Sequence, residues 1–175
     1  LLAICSTCIV ADAGKNTVTP DKDVTAAAIT AADYNQREDS WSQDKLGKSK
    51  TDMYHSGCMI CCIAATLAEQ GGEDMTPGEW NSFCGKKGIY TSGGAVMWDQ
   101  LEKNCAGVSV STDTKDNGRT LTKLLEDGIC PIVKVKRASG AYHWILLIGA
   151  KNGEFQCMDP IEGNVDLSFY QDRIY

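Results

Sequence analysis

Two histidines, His55 and His143, are all that 175 residues contain, and no cluster of basic residues occurs anywhere. The first scarcity confines imidazole chemistry to two positions. The second, with seventeen basic against twenty-three acidic residues and a net charge of −6, argues against a nucleic-acid partner. Long apolar runs are missing as well. The longest, Trp144 to Ile148, has the length of a strand, so no membrane-spanning helix is expected. Phosphate-cradling loops are absent, since Gly93-Gly94 is a bare pair with no Lys-Ser/Thr after it. No internal repeat is visible.

What the chain does have is apolar residues at 43% and nine cysteines. Its length and composition fit one globular domain with a real core and an appended arm. The cysteine count is odd and the later spacings (Cys84, Cys105, Cys130, Cys157) are irregular, which reads as reduced core thiols and not as a disulfide framework. Cys5 and Cys8 could pair with Cys58 and Cys61 as two zinc half-sites. The long gap and the apolar helical setting of the second pair argue against that, and no metal or other cofactor is expected.

Taken in order, Leu1 to Ala13 reads as the tail of a signal peptide or as an apolar strand. Gly14 to Ala32 reads as linker with a short helix over 24–32. Residues 1–32 are therefore expected to form an arm or linker, attached to a preceding domain, and 33–175 the folded domain. Tyr34 to Ser49 reads as ordered loop. Tyr54 to Ala68 carries a polar, glycine-containing turn straight into an alanine-rich apolar segment, a buried helix of about three turns. Thr76-Pro77-Gly78-Glu79 is a capping box that starts a short helix over 77–84, with a stop at Gly85-Lys86-Lys87-Gly88. Further helices are expected over 95–104 and 120–126, and a short strand over 108–110. The C-terminal third changes period. Strands are expected over 131–136, 143–149 and 155–158, the last two joined by an Asn152-Gly153 hairpin turn. Helices followed by antiparallel strands define an α+β fold, with a central cysteine-bearing helix packed on a C-terminal antiparallel sheet.

Three residues stand out chemically. Cys58 falls at the start of the apolar helix, where free N–H groups and the dipole favour a thiolate. His143 opens the most apolar strand, an unexpected place for a polar ring. Asp159 ends the neighbouring strand, and the antiparallel hairpin brings it beside His143. Each has a plainer reading alone: a buried thiol, a hydrogen-bonded core imidazole, a turn-forming Asp before Pro160. Together they reproduce the Cys–His–Asp logic of nucleophilic catalysis. His55 reads as a loop residue.

The blocks Gln36…Asp39…Trp41, Lys45-Leu46-Gly47-Lys48-Ser49, Thr51, Ser56-Gly57-Cys58…Ala64-Ala65, Pro131-Ile132-Val133-Lys134-Val135, His143 to Gly149 and Asp159-Pro160 occur in an order that resembles a papain-like family. This is the family related to the peptidases that trim double-glycine leaders from bacteriocins, found also as stand-alone or phage-borne domains. The resemblance spans about residues 34–163. It implies a papain-like fold, Cys58 as nucleophile, His143 as base, Asp159 as orienting acid and Gln36 as oxyanion-hole amide. Gln43 is the alternative amide. Met59-Ile60-Cys61-Cys62 departs from the family's common Cys-Gly-Pro-Ser start. The implied activity is a cysteine peptidase acting on peptides, with bacterial cell-wall peptides as substrate and a secreted, cell-wall or virion setting. An amidase or transpeptidase on the same triad is one rival; a non-catalytic binding module, or a zinc-stabilised structural one, is another.

Overall fold

The computed structural model describes residues 4–9, 18–72, 74–113 and 118–170. Within them the fold is α+β, with five α-helices and one curled sheet of seven strands. The sheet order is β3 (Val108–Asp113), β1 (Ile4–Ile9), β4 (Ile132–Lys136), β5 (Tyr142–Lys151), β6 (Glu154–Asp159) and β7 (Gly163–Asp166). β2 (Val24–Thr25) pairs with β5 off that path.

The expected antiparallel pairing holds for β4, β5 and β6, and an unanticipated β7 continues it. At the other end β1 runs parallel to both β3 and β4. Parallel neighbours need a crossover, and α5 (Gly118–Glu126) supplies it between β3 and β4. The helix expected over 24–32 is not there. Val24 and Thr25 pair with Ala150 and Gly149, and Ala27 N–H donates to the Ile148 carbonyl at 3.1 Å. A free edge on β5, beyond the end of β4, outcompetes local helix propensity for these residues. Ile29 and Ala31 then enter the core.

At the centre lies α2 (Cys58–Glu69), buried from Cys58 through Leu67. A helix that is apolar all round must be enclosed, and α2 packs against β5, α3 (Pro77–Lys87), β1 and the 3-10 turn Ala31–Tyr34. The capping box of α3 is present in full: the Thr76 hydroxyl accepts from Glu79 N–H, and the Glu79 carboxylate accepts from Thr76 N–H at 2.8 Å. The helix runs three residues past the expected Cys84 and stops at Gly88, whose φ of 68° closes the cap. The helix expected over 95–104 starts later, as α4 (Trp98–Asn104). Its first residues instead close a turn at Gly93-Gly94 through a Tyr90–Val96 bridge. Segment 35–52 forms no helix or strand, as expected, only turns, bends and one isolated bridge between Lys45 and Asp52, and is followed by α1 (Met53–Ser56), a single helical turn.

The β5–β6 hairpin positions the chemistry. Asn152 and Gly153 have φ of 56° and 78°, the left-handed pair that a two-residue turn requires. From there the register runs Lys151–Glu154, Ala150–Phe155 and Gly149–Gln156, then jumps to Leu147–Cys157 and Leu146–Met158. Ile148 is the extra residue of a β-bulge. Had the first register continued, Asp159 would oppose Leu146 and face away from His143. The bulge moves it opposite Ile145, onto the face that His143 shares.

Candidate active site

Cys58 is the first residue of α2, and the approach to it is tighter than a plain loop. α1 runs into α2 through Gly57, which has φ −78° and ψ −2° and donates its N–H to the Met53 carbonyl at 2.8 Å. A Cβ on Gly57 would lie 2.5 Å from that carbonyl oxygen. Only glycine allows this approach, and it aims Cys58 at the sheet.

Cys58 is nearly buried, and its sulfur lies close enough to His143, itself only 2% exposed on β5, to raise the pKa of that imidazole. His143 Nε2 bonds Asp159 Oδ1 at 2.8 Å. That commitment leaves Nδ1 for the sulfur, the reverse of the nitrogen order in Ser–His–Asp hydrolases. Asp159 is fully buried at the end of β6 and fully satisfied. Its Oδ1 also accepts from the N–H groups of Ile161 (2.8 Å) and Glu162 (3.1 Å), and its Oδ2 from the Tyr170 hydroxyl. The two sequence readings of Asp159, turn former and imidazole partner, are therefore both true.

The electrostatics follow from this packing. Burial alone would lower the His143 pKa. The bond to Asp159, the nearness of Cys58 and the Asp159 charge outweigh it and raise the imidazole from 6.5 to about 9. Burial alone would raise the Asp159 carboxyl. The His143 bond and charge, the Tyr170 hydroxyl and the Glu162 N–H hold it below the ordinary carboxylate range. An ionised carboxylate and a protonated imidazole are thus the resting partners at neutral pH. Burial pushes four other thiols up, Cys84 and Cys130 to about 12 and Cys61 and Cys157 well above the usual range.

Gln36 is buried between the two halves of the site. Its backbone N–H donates to the Pro160 carbonyl at 3.0 Å, just after Asp159, and its Nε2 donates to the Tyr54 carbonyl at 2.7 Å, four residues before Cys58. Its Oε1 has no partner. Gln43, the alternative amide, is exposed. His55 is 71% exposed and bonds Asp52 through Nδ1 at 2.6 Å; that bond, with one from Lys45, holds Asp52 down at about 2. Among the described residues no group of three or more metal-binding side chains gathers. The zinc alternative involving Cys5 and Cys8 lies outside the described side chains.

A cavity of about 480 Å³ opens beside the pair, bordered by Cys58, His143, Trp98, Tyr142, Trp144 and the Gly93-Gly94 turn. Arg137 borders this cavity and Tyr170 bonds Asp159 behind it; neither was anticipated from the sequence. Tyr170, delivered by the 3-10 turn Leu167–Tyr170, gives no signal beyond an aromatic pair near the C-terminus. Arg137 stands in the β4–β5 turn, where a basic residue usually means only a solvated loop.

No family model, no curated protein and no solved structure matches this chain.

Proposed function

We propose that this chain is a papain-like cysteine peptidase that cleaves peptide bonds through an acyl-thioenzyme on Cys58. The observation that carries the reading is the Cys58–His143–Asp159 relay, buried at its acidic end and open to a cavity at its sulfur. Buried ionisable groups of this kind cost stability unless paired, and they gather where chemistry needs them. A cysteine-bearing helix lying on the sheet that carries the histidine and aspartate also fits the papain-like reading.

In this reading Cys58 Sγ attacks the scissile carbonyl carbon, and the negative charge moves to the carbonyl oxygen. His143 Nδ1 gives its proton to the leaving amine as the C–N bond breaks, leaving an acyl thioester and a neutral imidazole. A water then gives one proton to that imidazole and its oxygen to the acyl carbon. The C–S bond breaks, and the carboxylic product leaves the thiolate–imidazolium pair behind. Asp159 stays ionised throughout and fixes the ring through Nε2. Gln36 supplies an oxyanion donor: one proton on Nε2 is committed to Tyr54, and the second is the one assigned to the oxyanion.

The resemblance to bacterial cell-wall and bacteriocin-processing peptidases makes purified murein peptides the first substrates to test. Wild-type protein is expected to yield hydrolysis products by mass spectrometry, and Cys58→Ala to lower their formation by about four orders of magnitude. Products joined to an added amine would indicate a transpeptidase instead. Cleavage unchanged in Cys58→Ala would overturn the assignment.

A further inference from the structure

The lining of the cavity beside Cys58 contains no Asp or Glu, although the chain as a whole carries a net charge of −6. Its ionisable lining, apart from Cys58 and Tyr142, is basic: Arg137, His143 and His55. On the opposite face of the sheet, outside the cavity lining, Lys134 Nζ lies 3.8 Å and Lys136 Nζ 5.7 Å from the centroid of the Tyr142 ring. Arg137, His143 and His55 each already have a carboxylate partner, Glu162, Asp159 and Asp52, but none of those carboxylates borders the recess, so the groups facing it are basic and favour an anionic occupant.

Arg137 is the group built to meet it. The residue closes the β4–β5 turn, with its N–H donating to the Ala141 carbonyl at 2.9 Å. Val135 opposes His143 across the hairpin, and Arg137 follows two residues later, so both stand on one side of the sheet. Diagonal neighbours of this kind lie roughly 7–8 Å apart at Cβ. Nη2 of Arg137 bonds Glu162 Oε1 at 2.7 Å, and both side chains are about one-third exposed. Glu162 does not line the cavity, so the pair holds the guanidinium from behind. A guanidinium fork has five donors, and the bond to Glu162 uses Nη2, leaving N–H groups along another edge suited to a second carboxylate.

We infer that Arg137 forms a carboxylate-binding subsite, so that the preferred substrates are acidic peptides carrying a side-chain or terminal carboxylate near the scissile bond. The inference rests on Cys58 being the nucleophile. Binding places that carboxylate on Arg137 and the scissile carbonyl over Cys58, within the one recess that both residues border.

Three affinity labels test it on the intact protein: iodoacetyl-glutamine amide, iodoacetyl-glutamate α-amide and iodoacetyl-glutamine with a free α-carboxylate. The first is neutral; the others carry one carboxylate each, from the two sources. At least one carboxylate label is expected to modify Cys58 about ten-fold faster than the neutral one, the size of a charge-assisted hydrogen bond. Arg137→Gln brings that ratio close to one, and Glu162→Gln raises it by freeing the guanidinium. Equal rates for all three labels on wild type would overturn the subsite. So would a ratio that survives Arg137→Gln, which would trace the preference to His143. Failure of iodoacetamide itself to modify Cys58 would remove the nucleophile, and with it both readings.

Discussion

Asp159 shows how one residue can be held ionised in a dry place. Four donors surround its two oxygens, and each is fixed by a different piece of backbone or side chain. Tyr170 is the most exposed to test. Burial first, and then the bond and charge of Asp159, push its hydroxyl pKa up, so it remains a donor at every pH of interest. Tyr170→Phe keeps the ring and strands Oδ2 in the interior. Losing a hydrogen bond to a charged group costs about 2 kcal/mol. The pH dependence has a definite sign. A carboxyl held low stabilises the fold above its unfolded pKa and loses that contribution as pH falls through its folded value. Without Tyr170 the folded value rises, so acid unfolding should begin at higher pH. Melting curves recorded from pH 3 to pH 7 check this, and superimposable curves for wild type and Tyr170→Phe would contradict it.

At the scale of elements, two junctions decide where the reactive groups point. The first is the α1–α2 join at Gly57. Gly57→Ala forces a methyl to 2.5 Å from the Met53 carbonyl oxygen, so the helices must part. Overpacking of this kind costs about 1–3 kcal/mol, and here it also tilts Cys58 away from His143. The expected outcome is a lower denaturation midpoint together with slower alkylation of Cys58; a variant that loses neither would show the junction to be slack. The second junction is the Ile148 bulge. The Asn152-Gly153 turn made the hairpin legible, and with it the nearness of His143 and Asp159. Counting outward from that turn, however, opposes Asp159 to Leu146, on the wrong face. Only a bulge reconciles the two residues, and its one local sign is Gly149 inside the apolar strand, which does not by itself fix the register. The capping box at Thr76 was legible because its bonds are local. The extended run at Val24 was not, because its partner edge on β5 is more than a hundred residues away.

For the molecule as a whole, the α+β class, the buried helix and the three residues of the relay could be read from periodicity, turn chemistry and the rarity of histidine. The parallel pairing of β1, the Tyr170 hydroxyl and the cationic recess could not, because they arise from tertiary neighbours that leave no local pattern. Among the seven described cysteines, all of them buried, Cys58 borders the cavity beside His143, and the proposed function makes it the one that reacts. Cys61, Cys84, Cys130 and Cys157 are buried with their thiols pushed upward, whereas Cys58 borders the cavity next to an imidazole that stays protonated up to about pH 9. A brief pulse of iodoacetamide at mildly acidic pH, followed by peptide mapping, measures this directly. An exposed but ordinary thiol, with a pKa of about 8.5, is then almost wholly protonated, so exposure alone gives little labelling. The account predicts that Cys58 is carbamidomethylated ahead of every other cysteine and that His143→Ala removes the preference. Labelling of Cys58 no faster than that of Cys61 or Cys84 would contradict it.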